Sequence, residues 1–144
     1  PAANGGEKIT SIFVNNAVYG MTGGQMAPTT LLGQKTSTSP YGRRPEVEGY
    51  PLRITDIIAT LPGAAYVTRT SLATPAKIRE TKKAIKKGFE VQMAGIGYSL
   101  VEVLSPCPTN WKLSPRDSFT YLAERMEKEY PIGVMKDVTT KKEG

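Results

Sequence analysis

The sequence contains no histidine and one cysteine, Cys107, among its 144 residues. Without histidine there is no Ser/His/Asp triad, no general base titrating near neutrality and no ordinary zinc site. With one cysteine there is no internal disulfide, and a reducing compartment is the natural setting. No apolar run approaches the ~20 residues that a bilayer crossing needs. Nothing at the N-terminus reads as a signal peptide, so the cytoplasm is the expected location and no membrane partner is expected. Whatever chemistry the chain serves is therefore expected to come from a bound cofactor or a partner chain.

What is present is ordinary for a globular domain: 39% hydrophobic and 22% charged residues, with a net charge of +6. That length can bury roughly 70% of the unfolded surface, enough for one core. Residues 8–15 (KITSIFVN) form a short apolar run that fits a buried parallel strand. Residues 34–51 have no period and three prolines. They are read as part of a long loop over 34–53, ordered against another subunit. Ile54, Ile57, Ile58 and Leu61 mark one face of a short helix, and residues 65–70 (AYVTRT) a strand. Thr74 and Pro75 supply an N-cap and a first-turn proline for a helix that should end at Gly88. Residues 100–104 (LVEVL) read as another strand. Ser114-Pro115 opens a last helix to about Tyr130, with Phe119, Leu122 and Met126 on one face. Residues 136–144 read as a polar tail. Strands alternating with helices predict an α/β fold, a parallel sheet flanked by helices.

The stretch most informative about chemistry is residues 15–25 (NNAVYGMTGGQ), directly after the first strand. Ligands of open α/β sheets gather beyond the carboxyl ends of the strands. An asparagine there offers a neutral amide oxygen suited to Mg²⁺, and Gly20, Gly23 and Gly24 allow close approach of a phosphate. The alternative is plain turn chemistry, which also favours asparagine and glycine. Cys107, between two prolines after a strand, is either a metal-ligating thiolate or a small buried hydrophobe.

Residues 12–30 (IFVNNAVYGMTGGQMAPTT), with SPYGR at 39–43, AYVTR at 65–69 and SPCPTNW at 105–111, closely resemble the β subunits of 2-oxoacid:ferredoxin oxidoreductases. The resemblance is strongest to the 2-ketoisovalerate and 2-oxoglutarate types. It implies a thiamine-diphosphate-binding fold of the diphosphate-binding type. It also implies oxidative decarboxylation of a 2-oxoacid to an acyl-CoA, with electrons passing to ferredoxin. By position, Asn16 and the carbonyl of Val18 correspond to Mg²⁺ ligands, and Tyr19, Gly20, Met21 and Thr22 line the cofactor's diphosphate and thiazolium end. Met21 and Gly23 hint at a branched-chain substrate. Cys107 corresponds to one of four thiolates of a 4Fe–4S cluster. Partners implied are the other subunits, of α, γ and δ type, together with ferredoxin and coenzyme A. Only fourteen residues precede Asn15, and the family's GDG aspartate and three further cysteines are not among them. The whole chain, 1–144, is accordingly expected to be the C-terminal part of one such domain, incomplete at its N-terminus and inactive alone. No glutamate can be nominated as the activator of the cofactor.

The rival reading starts from residues 74–88 (TPAKIRETKKAIKKG), which hold Lys77, Arg79, Lys82, Lys83, Lys86 and Lys87 against Glu80. These could make a non-catalytic basic module that docks an acidic protein such as ferredoxin, or nucleic acid. They could equally be a solvated helix face with Ile78 and Ile85 inward. Aromatics interleaved with the bases, which nucleic-acid binding would ask for, are absent from the segment. Trp111 could cover a cluster or pack in the core.

Overall fold

The computed structural model describes residues 1–140. Its centre is a four-stranded sheet in the order β1-β3-β2-β4. β1 (Thr10–Asn15), β3 (Tyr98–Leu104) and β2 (Ala64–Ser71) run parallel, with Asn15 opposite Leu104 and Arg69 opposite Glu102. β4 (Gly133–Asp137) closes the other edge antiparallel to β2. The expected parallel sheet is thus a mixed one, and the supposed polar tail contributes a strand at Lys136 and Asp137. An exposed edge strand such as β4, with Val134 60% accessible, carries little of the apolar pattern that marks central strands. Residues 141–144 of that tail lie outside the described residues.

Every residue of β2 and β3 is buried, as expected for strands covered on both faces. On one face Ala65, Tyr66, Val101 and Val103 pack against Ala84 and Val91 of α4 (Pro75–Met93). On the other face Ala64, Val67, Tyr98 and Leu100 meet Ala3 of α1 (Ala2–Gly5) and Ile58 of α3 (Ile54–Ala59). β1 does not match the fully buried strand expected of it. It lies at the sheet edge, with Ile12 44% and Val14 58% accessible.

α4 starts as its sequence requires: Thr74 Oγ1 accepts from the Lys77 amide at 3.2 Å, and Pro75 fills the first turn. It does not stop at Gly88 but runs to Met93. Gly88 is instead a point of close approach, where a Cβ would meet Thr10 Cγ2 at 3.0 Å and Val101 Cγ2 at 3.5 Å. The inward face is Thr81, Ala84, Gly88 and Val91, while Ile78 and Ile85 lie half-buried at its margin.

The last helix begins at Ser114, whose Oγ accepts from the Asp117 amide at 3.1 Å. α6 (Pro115–Tyr121) widens into a π turn (Leu122–Met126) before α7 (Glu127–Glu129). Buried positions fall every fourth residue, at Ser118, Leu122, Met126 and Tyr130. Four-residue spacing drifts around a regular α-helix, and the wider turn compensates. Phe119, expected on this face, is 42% exposed for the same reason.

Within this chain the loop over residues 34–53 is held by hydrogen bonds to the chain's own backbone. Buried Arg43 donates from Nε to the Gly49 carbonyl at 2.8 Å and from Nη2 to Tyr50 at 2.8 Å and Glu48 at 3.2 Å. Its Nη1 reaches Pro28 at 2.7 Å and Thr30 at 2.8 Å. A short helix, α2 (Pro45–Glu48), sits inside the loop. In the sequence Arg43 looks like one more surface cation, whereas its planar fork ties two segments of backbone together.

Candidate functional site

Two loops meet at the carboxyl ends of neighbouring strands. One follows β1 and carries residues 16–25; the other follows β3 and leads through Cys107 into α5 (Pro108–Trp111). The Ser105 amide donates to the Asn15 carbonyl at 3.0 Å, which fixes one loop against the other. A Cβ on Gly20 would lie 3.1 Å from Asn110 Nδ2, 3.6 Å from Asn16 Nδ2 and 3.8 Å from Cys107 Sγ. Asn16, Gly20 and Cys107 are therefore brought together. At Gly24, φ is +77° and a Cβ would sit 2.7 Å from Asn110 Oδ1. Both the backbone conformation and that neighbour demand glycine there.

The turn itself is pinned group by group. Ala17 has φ +58°, unusual for a residue with a Cβ. Its amide donates to Asn15 Oδ1 at 3.0 Å. Its carbonyl accepts from Thr30 Oγ1 at 2.7 Å and Gln34 Nε2 at 3.2 Å. The Asn16 carbonyl accepts from Trp111 Nε1 at 3.0 Å. The Tyr19 carbonyl accepts from the Gly24 amide at 2.9 Å, and the Tyr19 amide donates to Gln25. Among residues 15–20 only the Val18 carbonyl has no hydrogen-bond donor within the described residues, although Val18 is 6% accessible. The Asn16 side chain is half-buried, and its sole hydrogen bond is a long one, 3.4 Å from the Val18 amide. A buried backbone acceptor without a partner is rare and calls for one. The amide oxygen of Asn16 and the carbonyl of Val18 are hard donors of the kind Mg²⁺ prefers.

Asn16, Val18 and Tyr19 border a cleft of about 360 Å³ walled by Phe13, Pro28, Leu52 and Ile58. Gly23 and Gly24 face a second, more polar cleft of about 470 Å³ with Lys35, Ser37 and Lys112. Met21 is fully exposed and Tyr19 53% exposed. Thr22 Oγ1 donates to Gln25 Oε1 at 2.7 Å, which stiffens the loop's tip. Asn110 Nδ2 donates to Cys107 Sγ at 3.3 Å. Trp111 packs on Tyr121, ring centroids 4.8 Å apart, while its indole N–H faces the site.

Sequence reasoning missed the support beneath the turn: Asn15, Thr30, Gln34 and a buried charged pair. Arg69 Nε donates to Glu102 Oε2 at 2.7 Å, and both side chains are 1% accessible. A glutamate in LVEVL and an arginine in AYVTRT, opposite charges in two apolar strands, were the signal available. Among the described residues no cluster of three or more His, Cys, Asp or Glu could hold a metal. No helix among those residues is long and apolar enough to cross a membrane.

The cations of α4 are largely neutralised. Lys77 pairs with Glu127 at 2.6 Å, Lys83 with Glu80 at 2.9 Å, Lys86 with Glu90 at 3.6 Å, and Lys87 with Asp137. That removes most of the field on which the basic-module reading rests.

Residues 2–103 match the family described as thiamine pyrophosphate enzyme, C-terminal TPP binding domain. The ketoisovalerate oxidoreductase subunit VorA of Methanothermobacter thermautotrophicus is 51% identical over 136 residues, covering 94% of this chain and 28% of its own length. The 2-oxoglutarate synthase subunit KorB of Archaeoglobus fulgidus is 43% identical, covering 83% of this chain and 40% of its own. The chain thus spans less than a third of the ketoisovalerate oxidoreductase subunit's length. A solved 2-oxoglutarate:ferredoxin oxidoreductase from Magnetococcus marinus, with 2-oxoglutarate, coenzyme A and succinyl-CoA bound, superposes with a TM-score of 0.67. At 21% identity, over 96% of this chain and 50% of that one, it speaks for the fold.

Proposed function

We propose that this chain, which belongs to the C-terminal TPP-binding family of thiamine pyrophosphate enzymes, holds the magnesium–diphosphate end of thiamine diphosphate within a 2-oxoacid:ferredoxin oxidoreductase. The observation that carries the reading is the unpartnered Val18 carbonyl, two residues along from the Asn16 amide, in a segment, residues 15–20, whose other carbonyls are taken. Those two oxygens would be two of about six around Mg²⁺, the rest coming from diphosphate, water and residues outside this chain. Gly20 and Thr22 would lie along the diphosphate, with Tyr19 and Met21 toward the thiazolium end. Their exposure fits a role against a ligand or a partner surface.

Thiamine diphosphate, when bound, supplies the electron sink for loss of carbon dioxide from a 2-oxoacid. The residues of this chain orient it: Asn16 and Val18 fix one end, and Trp111 and Asn110 hold the loops that surround it. Cys107, 3.8 Å from a Cβ built on Gly20, would give one thiolate to a 4Fe–4S cluster completed by cysteines elsewhere. Such a cluster, when bound, would supply the one-electron chemistry that a ferredoxin acceptor needs, with coenzyme A as the acyl acceptor. The substrate we favour is a branched-chain 2-oxoacid, from the ketoisovalerate oxidoreductase relative and from apolar Met21 and small Gly23. Subunits of α, γ and δ type would complete the enzyme.

Replacing Asn16 by alanine in the full-length protein should weaken thiamine diphosphate binding, measured calorimetrically with Mg²⁺, by ~1–3 kcal/mol. Unchanged affinity would contradict the reading.

A further inference from the structure

We infer that Glu102 is a positioning residue for the divalent-ion turn and acts on it through the side chain of Asn15. The inference rests on the reading of Asn16 and Val18 given above and adds a residue that reading does not use. Glu102 lies in β3, opposite Arg69 of β2 and Phe13 of β1, and its side chain reaches Asn15, two residues further along β1. Its Oε2 accepts from Arg69 Nε at 2.7 Å and from Thr55 Oγ1. Arg69 also donates from Nη1 to the Pro131 carbonyl at 3.0 Å and stands over the Tyr130 ring, 5.4 Å from its centroid. Arg69 Nη2 lies 3.5 Å from Asp56 Oδ1 without hydrogen-bond geometry. With Oε2 saturated, Oε1 is left for one donor, Asn15 Nδ2 at 2.7 Å. That bond sets which way the Asn15 amide faces. Its Oδ1 must then point up to the Ala17 amide, 3.0 Å away.

The consequence is a chain of fixed donor and acceptor directions, Arg69 to Glu102 to Asn15 to Ala17. It ends on a residue held at φ +58°. A non-glycine residue in that region costs about 1 kcal/mol unless its surroundings impose it. Ala17 is the residue across which the Asn16 amide oxygen meets the Val18 amide at 3.4 Å, and the carbonyl that follows, that of Val18, has no donor. Asn15, Glu102 and Thr55 are all 1% accessible or less, so water does not replace any of these partners. Partners that orient a metal's ligands commonly set its affinity by about 10- to 100-fold.

The test is a polarity swap. In Glu102→Gln the new amide must keep its oxygen toward Arg69 and Thr55, so its amino group faces Asn15 Nδ2, donor against donor. Asn15 can relieve this only by turning over, which sets its amino group against the Ala17 amide. In Asn15→Asp two carboxylates face each other. In the double variant, Asn15→Asp with Glu102→Gln, donors and acceptors alternate again. The readout is Mn²⁺ affinity in the full-length, assembled protein with thiamine diphosphate, from the electron paramagnetic resonance signal of free Mn²⁺. Thermal unfolding of each variant is followed alongside. We expect each single variant to bind Mn²⁺ about 10- to 100-fold more weakly, and the double variant to recover most of that loss. Singles that bind as wild type would overturn the inference and leave the proposed function standing. So would a double variant that binds no better than the weaker single, or that fails to fold. If a single variant does not fold, a double that folds and binds supports the inference. Wild-type protein showing no Mn²⁺ binding dependent on thiamine diphosphate would instead sink the proposed function itself.

Discussion

Arg43→Lys isolates what orders the loop beside the site. The arginine makes four bonds of 2.7–2.8 Å to the carbonyls of Pro28, Thr30, Gly49 and Tyr50, with longer ones at 3.2 Å to Glu48 and 3.4 Å to Ala27. No carboxylate is among these acceptors, so the buried charge is solvated by main chain alone. Lysine keeps the charge but has three donors on one atom, and cannot span acceptors that a planar fork reaches from two sides. At least one strong, charge-assisted bond is lost, at a cost of about 1.5–3 kcal/mol. At 1.4 kcal/mol per decade, the open population of the loop rises about 10- to 150-fold. Amide hydrogen exchange read by mass spectrometry on peptides within residues 27–50 of the full-length protein measures this directly. Exchange in β2 and β3 should not change. Unaltered protection of residues 27–50 would refute the idea that one guanidinium organises the loop. Because the Thr30 hydroxyl holds the Ala17 carbonyl, a loosened loop should also weaken cofactor binding modestly.

Further predictions concern packing and pH. Gly88→Leu should destabilise the protein by ~1–3 kcal/mol, since the space beyond a Cβ is filled by Thr10 and Val101. A thermal melt that did not move would deny the close approach of α4 to the sheet. Asp137, at the β4 edge, is pushed up by burial but pulled down further by hydrogen bonds from Lys87 and Thr139, and sits below the usual carboxylate value. Its contribution is therefore fully present above the unfolded value of ~4 and is lost as pH falls through the lowered folded value. Asp137→Asn should flatten the acid limb of stability below about pH 4 and leave the slope between pH 5 and 8 unchanged. An acid limb identical to wild type would remove the group from the account.

The candidate turn was legible as a strand-end loop because its signal is local. NNAVYGMTGG follows an apolar strand, and the structure does put Asn16 and Gly20 at a strand's carboxyl end beside the Cys107 loop. The central elements were legible for the same reason: β2 and β3 are short apolar runs, and Thr74-Pro75 and Ser114-Pro115 announce helix starts. What escaped depends on partners distant in sequence. Gly88 reads as a helix stop until Thr10 is known to lie against it, since a glycine tolerated for packing and one that ends a helix look alike. β4 is half exposed and antiparallel, without the continuous apolar run of its neighbours. The π turn displaces the buried face from Phe119 to Ser118, and no local pattern announces the extra residue. Glu102 reaches a turn eighty-five residues away, measured from Ala17, and only the side-chain hydrogen bonds of the folded chain reveal the link.

The central claim is that the amide oxygen of Asn16 and the carbonyl oxygen of Val18 ligate one divalent ion. An experimental structure of the full-length protein with thiamine diphosphate and Mg²⁺ tests it most directly. The prediction is both oxygens at about 2.1 Å from the ion, the distance magnesium demands. An ion on the diphosphate with neither oxygen in its coordination sphere would contradict it.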